Sequence, residues 1–463
     1  MSEELENILV LLKEELLTSI KEVIEIPSVI GKAEDNAPFG KEVNRALDYT
    51  LKLANEMNFE TGRVDGYAGH IQFGSKGKLF GVLGHLDVVP AGEGWSVAPF
   101  NGTIKDGYIF GRGVIDDKGP TIASIYALKA VRDLGLDPKN RIRIILGTNE
   151  ESGWGGITEY FKHEEKPQMA VTPDAAFPLI YAEKGIVNYE ISTELTNNKE
   201  GVNIKEFSGG NASNMVPSKA KVVLEGIDDE IEEMLKTYKP GNDTKVTFER
   251  NGSEIIINVE GDSAHGSKPD RGENAIAPLF EILSKIEISN VELDKFIKKL
   301  NDRIGYETNG KNLGIAGSDE MSGILTVNLG TVELQNNLIK AVINIRYPVF
   351  FNESRIQSQL KEALKGLKVV GGHHLEPHYV SPDNELVKTL VEVYESTTGN
   401  KAELLTTGGG TYARAVKNAV AFGALFPGRE ETEHKPDERI LIDDLMLLTK
   451  IYANLFYKIL TEW

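Results

Sequence analysis

The stretch Leu79-Phe80-Gly81-Val82-Leu83-Gly84-His85-Leu86-Asp87 decides how this chain is read. An apolar run of strand length delivers a histidine and an acid. Two further runs do the same. Arg141-Ile142-Arg143-Ile144-Ile145-Leu146 leads into Gly147-Thr148-Asn149-Glu150-Glu151, and Met169-Ala170-Val171-Thr172-Pro173 leads into Asp174. In an open α/β sheet, ligands bind beyond the carboxyl ends of the strands. One histidine, two aspartates and two glutamates are therefore expected on one rim of one sheet. Imidazole combined with carboxylates suits one or two divalent metals and a carboxylate base.

Outward from these runs, strands alternate with helical stretches from Lys78 to about Lys184, Thr121 to Val131 being the clearest helix. This predicts an α/β sheet with helices on its faces. After Gly185 the pattern changes. Ala220–Leu224, Lys245–Phe248, Glu254–Val259 and Leu338–Ile345 read as strands of a half-exposed sheet, so a second, α+β domain is expected. Near Pro382 the α/β style returns, with a helix over Leu386–Tyr394, a buried strand over Val420–Phe426 and a closing helix over Leu445–Leu460. The simplest arrangement is a discontinuous domain, residues 1–184 and 379–463, with residues 185–378 inserted. A chain of 463 residues has room for two or three domains.

Bulk composition narrows the chemistry. The formal charge is −19, which argues against non-specific binding to nucleic acid or anionic membranes. There is no cysteine, so thiolate ligands, a cysteine nucleophile and disulfides are excluded. That composition fits a reducing cytoplasm. The start, Met-Ser-Glu-Glu, does not read as a signal peptide. Leu5, Ile8, Leu9, Leu12, Leu16, Ile20, Val23 and Ile24 recur at helical spacing up to Pro27 and predict an amphipathic helix. No apolar run is long enough to span a membrane.

Each acidic or histidine motif has a functional and a plain reading. In a strand, residues i and i+2 share a side, so Asp87 is expected behind His85, holding its far ring nitrogen as metal-bound imidazoles require. The plain reading is a solvated strand end. In Gly111-Arg112-Gly113-Val114-Ile115-Asp116-Asp117-Lys118-Gly119, paired acids stand at a helix start. Asp117 suits an N-cap; Asp116, with two oxygens, can bridge two metals. At Glu150-Glu151, adjacent side chains diverge, so one can ligate metal while the other stays free as a base; a solvated acidic turn is the alternative. Asp174 is a further candidate ligand or a helix cap after Pro173. His434, just after the late apolar strand, is the candidate for the last imidazole or a loop histidine. His373-His374 with His378 has metal-like spacing but reads better as an exposed linker. His163-Glu164-Glu165 lacks the second histidine of a zincin helix. His265, among small residues in Gly261–Pro269, can approach a ligand closely and donate to an oxyanion, or is a loop histidine.

Taken together, the segments Gly84–Pro90, Gly111–Gly119, Thr148–Gly153, Thr172–Ala175, Gly261–Ala275 and Glu431–Glu438 resemble the co-catalytic metallopeptidases that include aminoacylase, acetylornithine deacetylase and succinyl-diaminopimelate desuccinylase. Within that family they look most like PepV-type bacterial dipeptidases. They occur in the family's order and span most of the chain.

The resemblance implies a zinc-peptidase-like α/β catalytic domain with an inserted α+β lid. It implies that His85 and Asp174 hold one metal, Glu151 and His434 the other, and that Asp116 bridges both. It casts Asp87 as the orienting acid, Glu150 as general base and His265 as a stabiliser of the tetrahedral intermediate. Asn214, Arg346 and the loop Thr407–Tyr412 with Gly409 and Gly410 resemble groups that receive the substrate, Arg346 taking its carboxylate through a guanidinium fork. The plain readings are a turn residue, a solvated strand charge and a tight turn.

The expectation is a cytoplasmic, monomeric dipeptidase with two divalent metals, Zn²⁺ first and Mn²⁺ or Co²⁺ as alternatives. Its substrates are small peptides, with no nucleic acid or membrane partner. The rivals are an N-acyl amino acid deacylase or succinyl-diaminopimelate desuccinylase of the same family, and a non-catalytic peptide-binding protein on the same fold.

Overall fold

In the computed structural model, the helix Glu3–Ile24 carries Glu3, Glu4 and Glu6 in its first turn and Lys21 in its last, each charge complementing the helix dipole. The structure describes residues 3–196 and 200–463; Met1 and Ser2 of the acidic start lie outside that set. Leu5, Leu9, Leu12, Leu16, Ile20 and Val23 form the buried stripe of this helix. Pro27, which cannot continue a helix, follows its end.

The chain divides into two compact units. One comprises Met1–Tyr181, Tyr379–Leu405 and Thr411–Trp463; the other comprises Ala182–His378 and Thr406–Gly410. The central strands of the first unit are Leu79–His85, Arg141–Gly147 and Met169–Thr172, paired in parallel. Leu79–His85 is buried along its whole length, as a strand covered on both faces must be. Ala419–Ala421 extends the parallel set beside Met169–Thr172. On the other side, Ala68–Phe73 and then Glu60–Val64 add antiparallel strands. His85 lies opposite Gly147 in the register, so the segments after both strands leave at the same edge. The helix Lys118–Asp133 packs on Glu3–Ile24 and on Ile442–Thr461. It is buried almost all round, which accounts for its lack of a polar stripe.

The late strand is shorter than its apolar run predicts. The continuous strand ends at Ala421, and Phe422–Phe426 runs on as largely buried chain that pairs again only at Leu425, in a single parallel bridge with Ala176. Phe422 and Phe426 pack on Phe177 with ring centroids 5.0 and 4.6 Å away. An apolar run reports burial, and here an aromatic cluster supplies most of it where the continuous ladder breaks.

The second unit is built on an antiparallel sheet, eight-stranded among the described residues. Its order is Lys245–Asn251, Glu254–Glu260, Lys219–Glu225, Asn203–Gly209, Thr326–Gln335, Leu338–Tyr347, Gly185–Glu194 and Lys368–Leu375. Ile255, Ile257 and Val259 alternate inward on one strand, the period-two signature of a sheet with one wet face. His373 and His374 belong to the edge strand Lys368–Leu375, not to a linker. The β-branched pair Val369-Val370 pairs there with Ile191 and Glu190. His374 Nε2 lies 2.7 Å from the Tyr347 hydroxyl, and this histidine joins no candidate metal group among the described residues.

Candidate metal centre

Five of the predicted ligands converge in the first unit. His85 Nε2 lies 3.0 Å from Asp116 Oδ1 and 3.7 Å from Asp174 Oδ2. His434 Nε2 lies 2.9 Å from Asp116 Oδ2 and 3.1 Å from Glu151 Oε1. Two candidate ligand groups result, His85–Asp116–Asp174 and Asp116–Glu151–His434. They share Asp116, which offers one oxygen to each. Register explains the first group: His85 ends one strand, and Asp174 stands two residues beyond the neighbouring strand Met169–Thr172.

The charges in this cluster demand cations. Three carboxylates, with Glu150 beside them, face two imidazoles. Burial alone would lower the pKa of His434, but hydrogen bonds to Asp116 and Glu151 push it up to about 12. Fully buried His85 is likewise raised well above its usual value, against burial, by Asp116 and then by the charges of Asp174 and Asp87. Asp116 is held far below the carboxylate range, against burial, by the same two histidines. Two divalent cations would balance these carboxylates, because a neutral imidazole and a carboxylate are the ligands such ions take. The donor set therefore fits a dinuclear centre.

Glu150 joins neither ligand group. Its Oε1 accepts from the indole Nε1 of Trp154 at 3.1 Å. Burial raises its pKa well above the carboxylate range; His85 opposes that shift, while Glu151 and Asp116 add to it. Its distinguishing feature is geometric, a buried carboxylate beside both groups that contributes to neither.

Asp87 works differently from the strand-based expectation. The strand ends at His85, so the i, i+2 geometry does not reach Asp87. His85 Nδ1 lies 2.9 Å from the Asp87 carbonyl oxygen, whereas the carboxylate Oδ1 is 3.6 Å away. The carboxylate instead accepts the amides of Glu150 at 3.0 Å and Glu151 at 3.1 Å. Asp87 thus orients the imidazole with its main chain and the Glu150-Glu151 turn with its side chain. Asp117 occupies the N-cap position of the helix Lys118–Asp133 without a capping side-chain bond. Its Oδ2 turns inward to accept from the His85 amide and the Thr121 hydroxyl.

Sequence reasoning passed over two supporting residues. Trp154 was hidden in the tail of the Glu150-Glu151 turn. Tyr412 lay inside the glycine-rich segment already quoted. Its buried ring stands edge-on to His85 and Trp154, at 6.2 and 5.8 Å between centroids. A Cβ on Gly147 would come within 2.4 Å of the Tyr412 hydroxyl, so only glycine permits this approach.

The remaining predicted residues lie in the second unit. Arg346 is buried; its Nε donates to Asn344 Oδ1 at 2.7 Å and its Nη1 to the Gly408 carbonyl at 2.6 Å. Gly409 donates its amide to the Thr407 hydroxyl at 3.0 Å, and Gly410 closes this glycine run. A Cβ on Gly408 would lie 2.8 Å from Ser267 Cβ. Ser267 in turn bonds His265 Nδ1, through its hydroxyl at 2.6 Å and its amide at 3.3 Å. Because an amide donates to Nδ1, the ring proton belongs on Nε2. Gly266 donates to the Asn214 carbonyl at 2.6 Å, and Met215 bridges to His265, so the Asn214 and His265 loops are stapled together. Asn328 Nδ2 clamps the carbonyls on either side of Asn214, those of Ser213 and Met215.

Known proteins resemble this chain in sequence or in fold. A Bacillus subtilis (strain 168) protein named "Putative dipeptidase YtjP" is 41% identical over 455 residues, covering 96% of this chain and 97% of its own. The crystal structure of human carnosine dipeptidase 1 superposes with a TM-score of 0.62 at 16% identity, covering 99% of both chains. A Bacillus subtilis structure titled as a dinuclear metal binding peptidase superposes with a TM-score of 0.51 at 11% identity, over 97% of this chain and 98% of that one. These two likenesses speak for the fold. The model of peptidase family M20/M25/M40 matches residues 81–458, which takes in both ligand groups from His85 to His434, and the chain belongs to that family.

Proposed function

We propose that this protein is a dinuclear metal-dependent dipeptidase acting on short peptides with a free C-terminal carboxylate. The observation that carries the reading is the pairing of two ligand groups through one shared acid with an adjacent carboxylate, Glu150, left outside both. A binding protein has no use for that spare base. The names of the relatives support a peptide bond as the target.

When bound, two divalent ions would supply Lewis acidity toward the scissile carbonyl and lower the pKa of a water toward about 7. His85, Asp116 and Asp174 would hold one, and Asp116, Glu151 and His434 the other. Glu150 takes the proton of the attacking water and returns it to the leaving amine. Trp154 fixes one Glu150 oxygen, which leaves the other for the proton. From the second unit, His265 serves through its Nε2 proton as an oxyanion donor. Arg346, with the Gly409-Gly410 turn and the amide of Gly410, receives the substrate carboxylate, and Asn214 contacts the substrate beside His265. Two imidazoles among carboxylates favour Zn²⁺, with Mn²⁺ and Co²⁺ as working alternatives. The protein acts as a cytoplasmic monomer, a state that sedimentation at low concentration checks.

The deciding experiment is hydrolysis by chelator-stripped protein with Zn²⁺, Mn²⁺ or Co²⁺ restored. The panel contains free dipeptides, tripeptides, and N-acetyl and N-succinyl amino acids. Restored cleavage of dipeptides alone is the expected result. Cleavage of the N-acyl compounds instead would assign a deacylase, and tight peptide binding without turnover would make the protein a binder.

A further inference from the structure

Glu438 is completely buried, and it is neither a ligand nor a base in the reading above. Its placement follows from strand register. Arg439–Leu441 pairs antiparallel with Tyr108–Phe110, with Arg439 opposite Phe110. One step further, the Gly111 amide donates to the Glu438 carbonyl at 2.9 Å. The Glu438 side chain then reaches the loop that follows, Arg112 to Asp116. Its Oε1 accepts from the amides of Gly113 at 3.0 Å, Ile115 at 3.1 Å and Asp116 at 3.4 Å. Its Oε2 accepts from Arg112 Nη1 at 2.5 Å. Arg112 is itself 1% exposed. Its other arm, Nη2, reaches the Ala91 carbonyl at 3.3 Å, in the segment after His85-Leu86-Asp87.

Converging amides and a guanidinium make an anion cradle, and the chain fills it with its own carboxylate. The cradle joins two of the three loops that build the second ligand group, the third being the one that carries Glu151. One loop ends in the shared Asp116. The other carries His434 four residues before Glu438. Both His434 (φ 62°) and Asp437 (φ 57°) are in the left-handed region. Non-glycine residues stay there only where their surroundings overdetermine them. The first group depends less on this arrangement, because His85 and Asp174 are delivered by the parallel strands.

We propose that Glu438 is a positioning residue that sets the spacing of Asp116 and His434, so that the Asp116–Glu151–His434 site depends on it far more than the His85–Asp116–Asp174 site does. The inference rests on the dinuclear reading. Its test is stepwise Co²⁺ titration of the chelator-stripped full chain, followed by calorimetry and visible absorption, for wild type, Glu438→Ala, Glu438→Gln and His434→Ala. The thermal unfolding of each metal-free protein is measured alongside. His434→Ala identifies which binding step belongs to the second group. Glu438→Ala is expected to weaken that same step by about ten- to hundredfold, as loss of a residue supporting a ligand does, and to leave the other step within about threefold. A purely structural role would lower the melting temperature without changing the ratio of the two affinities. An unchanged ratio, whether both steps weaken equally or neither does, overturns the proposal. If Glu438→Ala does not unfold cooperatively, Glu438→Gln decides by the same ratio. A wild type that takes up fewer than two ions overturns the dinuclear reading itself, and this inference with it.

Discussion

The indole of Trp154 donates to Glu150 across 3.1 Å and so fixes one oxygen of the acid that neither ligand group claims. A hydrogen bond to a charged group contributes about 1.5–3 kcal/mol. Trp154→Phe keeps the ring and removes the donor. Its kcat on a dipeptide is expected to fall roughly ten- to hundredfold with KM little changed, if the bond tightens toward the transition state. Steady-state kinetics decide; an unaltered kcat would show that Glu150 needs no such restraint.

Removing the base itself should cost more. Glu150→Ala is expected to lose about 10²–10⁴ in rate or more, a typical acid–base contribution. Metal analysis of the same sample should still find both ions, because Glu150 belongs to neither group. Turnover close to wild type would eliminate the assignment.

Asp87 holds two amides with two oxygens, those of Glu150 and Glu151. Asparagine offers one oxygen and turns an NH₂ toward the other amide. Asp87→Asn should therefore lower metal affinity by about 10–100-fold, the effect typical of residues that orient ligands. Competition with a fluorescent chelator measures it. Undiminished affinity would mean that the turn holds its own shape.

Arg346 reaches Asn344 with one guanidinium nitrogen and the Gly408 carbonyl with another. Lysine retains the charge but not the planar fork. Arg346→Lys is expected to raise KM for dipeptides by roughly tenfold or more, with a smaller effect on kcat. Equal KM values for the two proteins would remove Arg346 from substrate binding.

His70 offers a test of pH dependence away from the metals. Burial, aided by the charge of Arg143, lowers its pKa to about 4, and its Nδ1 lies 2.9 Å from the Tyr160 hydroxyl. The unfolded chain binds a proton near pH 6.5 that the folded chain refuses until about pH 4. The stability that neutral His70 permits is complete above pH 6.5 and is lost as the pH falls toward 4. His70→Gln removes this titration, so its Tm should decline less than that of wild type between pH 7 and pH 4. Parallel declines in thermal melts would refute the account.

What the sequence disclosed follows physical lines. Leu79–His85, Arg141–Gly147 and Met169–Thr172 were legible because apolar, β-branched runs of strand length have few other uses. The ligand candidates were legible because they stand just past those runs. Glu438 and Arg112 were quoted within motifs yet had no visible task, because their partners are main-chain amides and carbonyls brought close by a strand pairing more than 300 residues apart in sequence. Composition carries no trace of such partners. Asp87 was given the right neighbour but the wrong atoms, since a two-residue periodicity stops applying where the strand does. Phe422–Phe426 misled for the opposite reason, being a correct burial signal on a segment whose pairing is broken to a single bridge at Leu425.

The sharing of Asp116 also sets a timetable for synthesis. One ligand group is complete in the growing chain once Asp174 has been made, while the other waits for His434. At about 5–20 residues per second, the ribosome needs roughly tens of seconds to cover that interval, and the whole second unit, Thr406–Gly410 included, is made within it. The shared carboxylate therefore spends that time with one set of partners before the other exists. An ion captured early would meet Asp116 as an ordinary ligand and see it become a bridge only when the C-terminal segment docks.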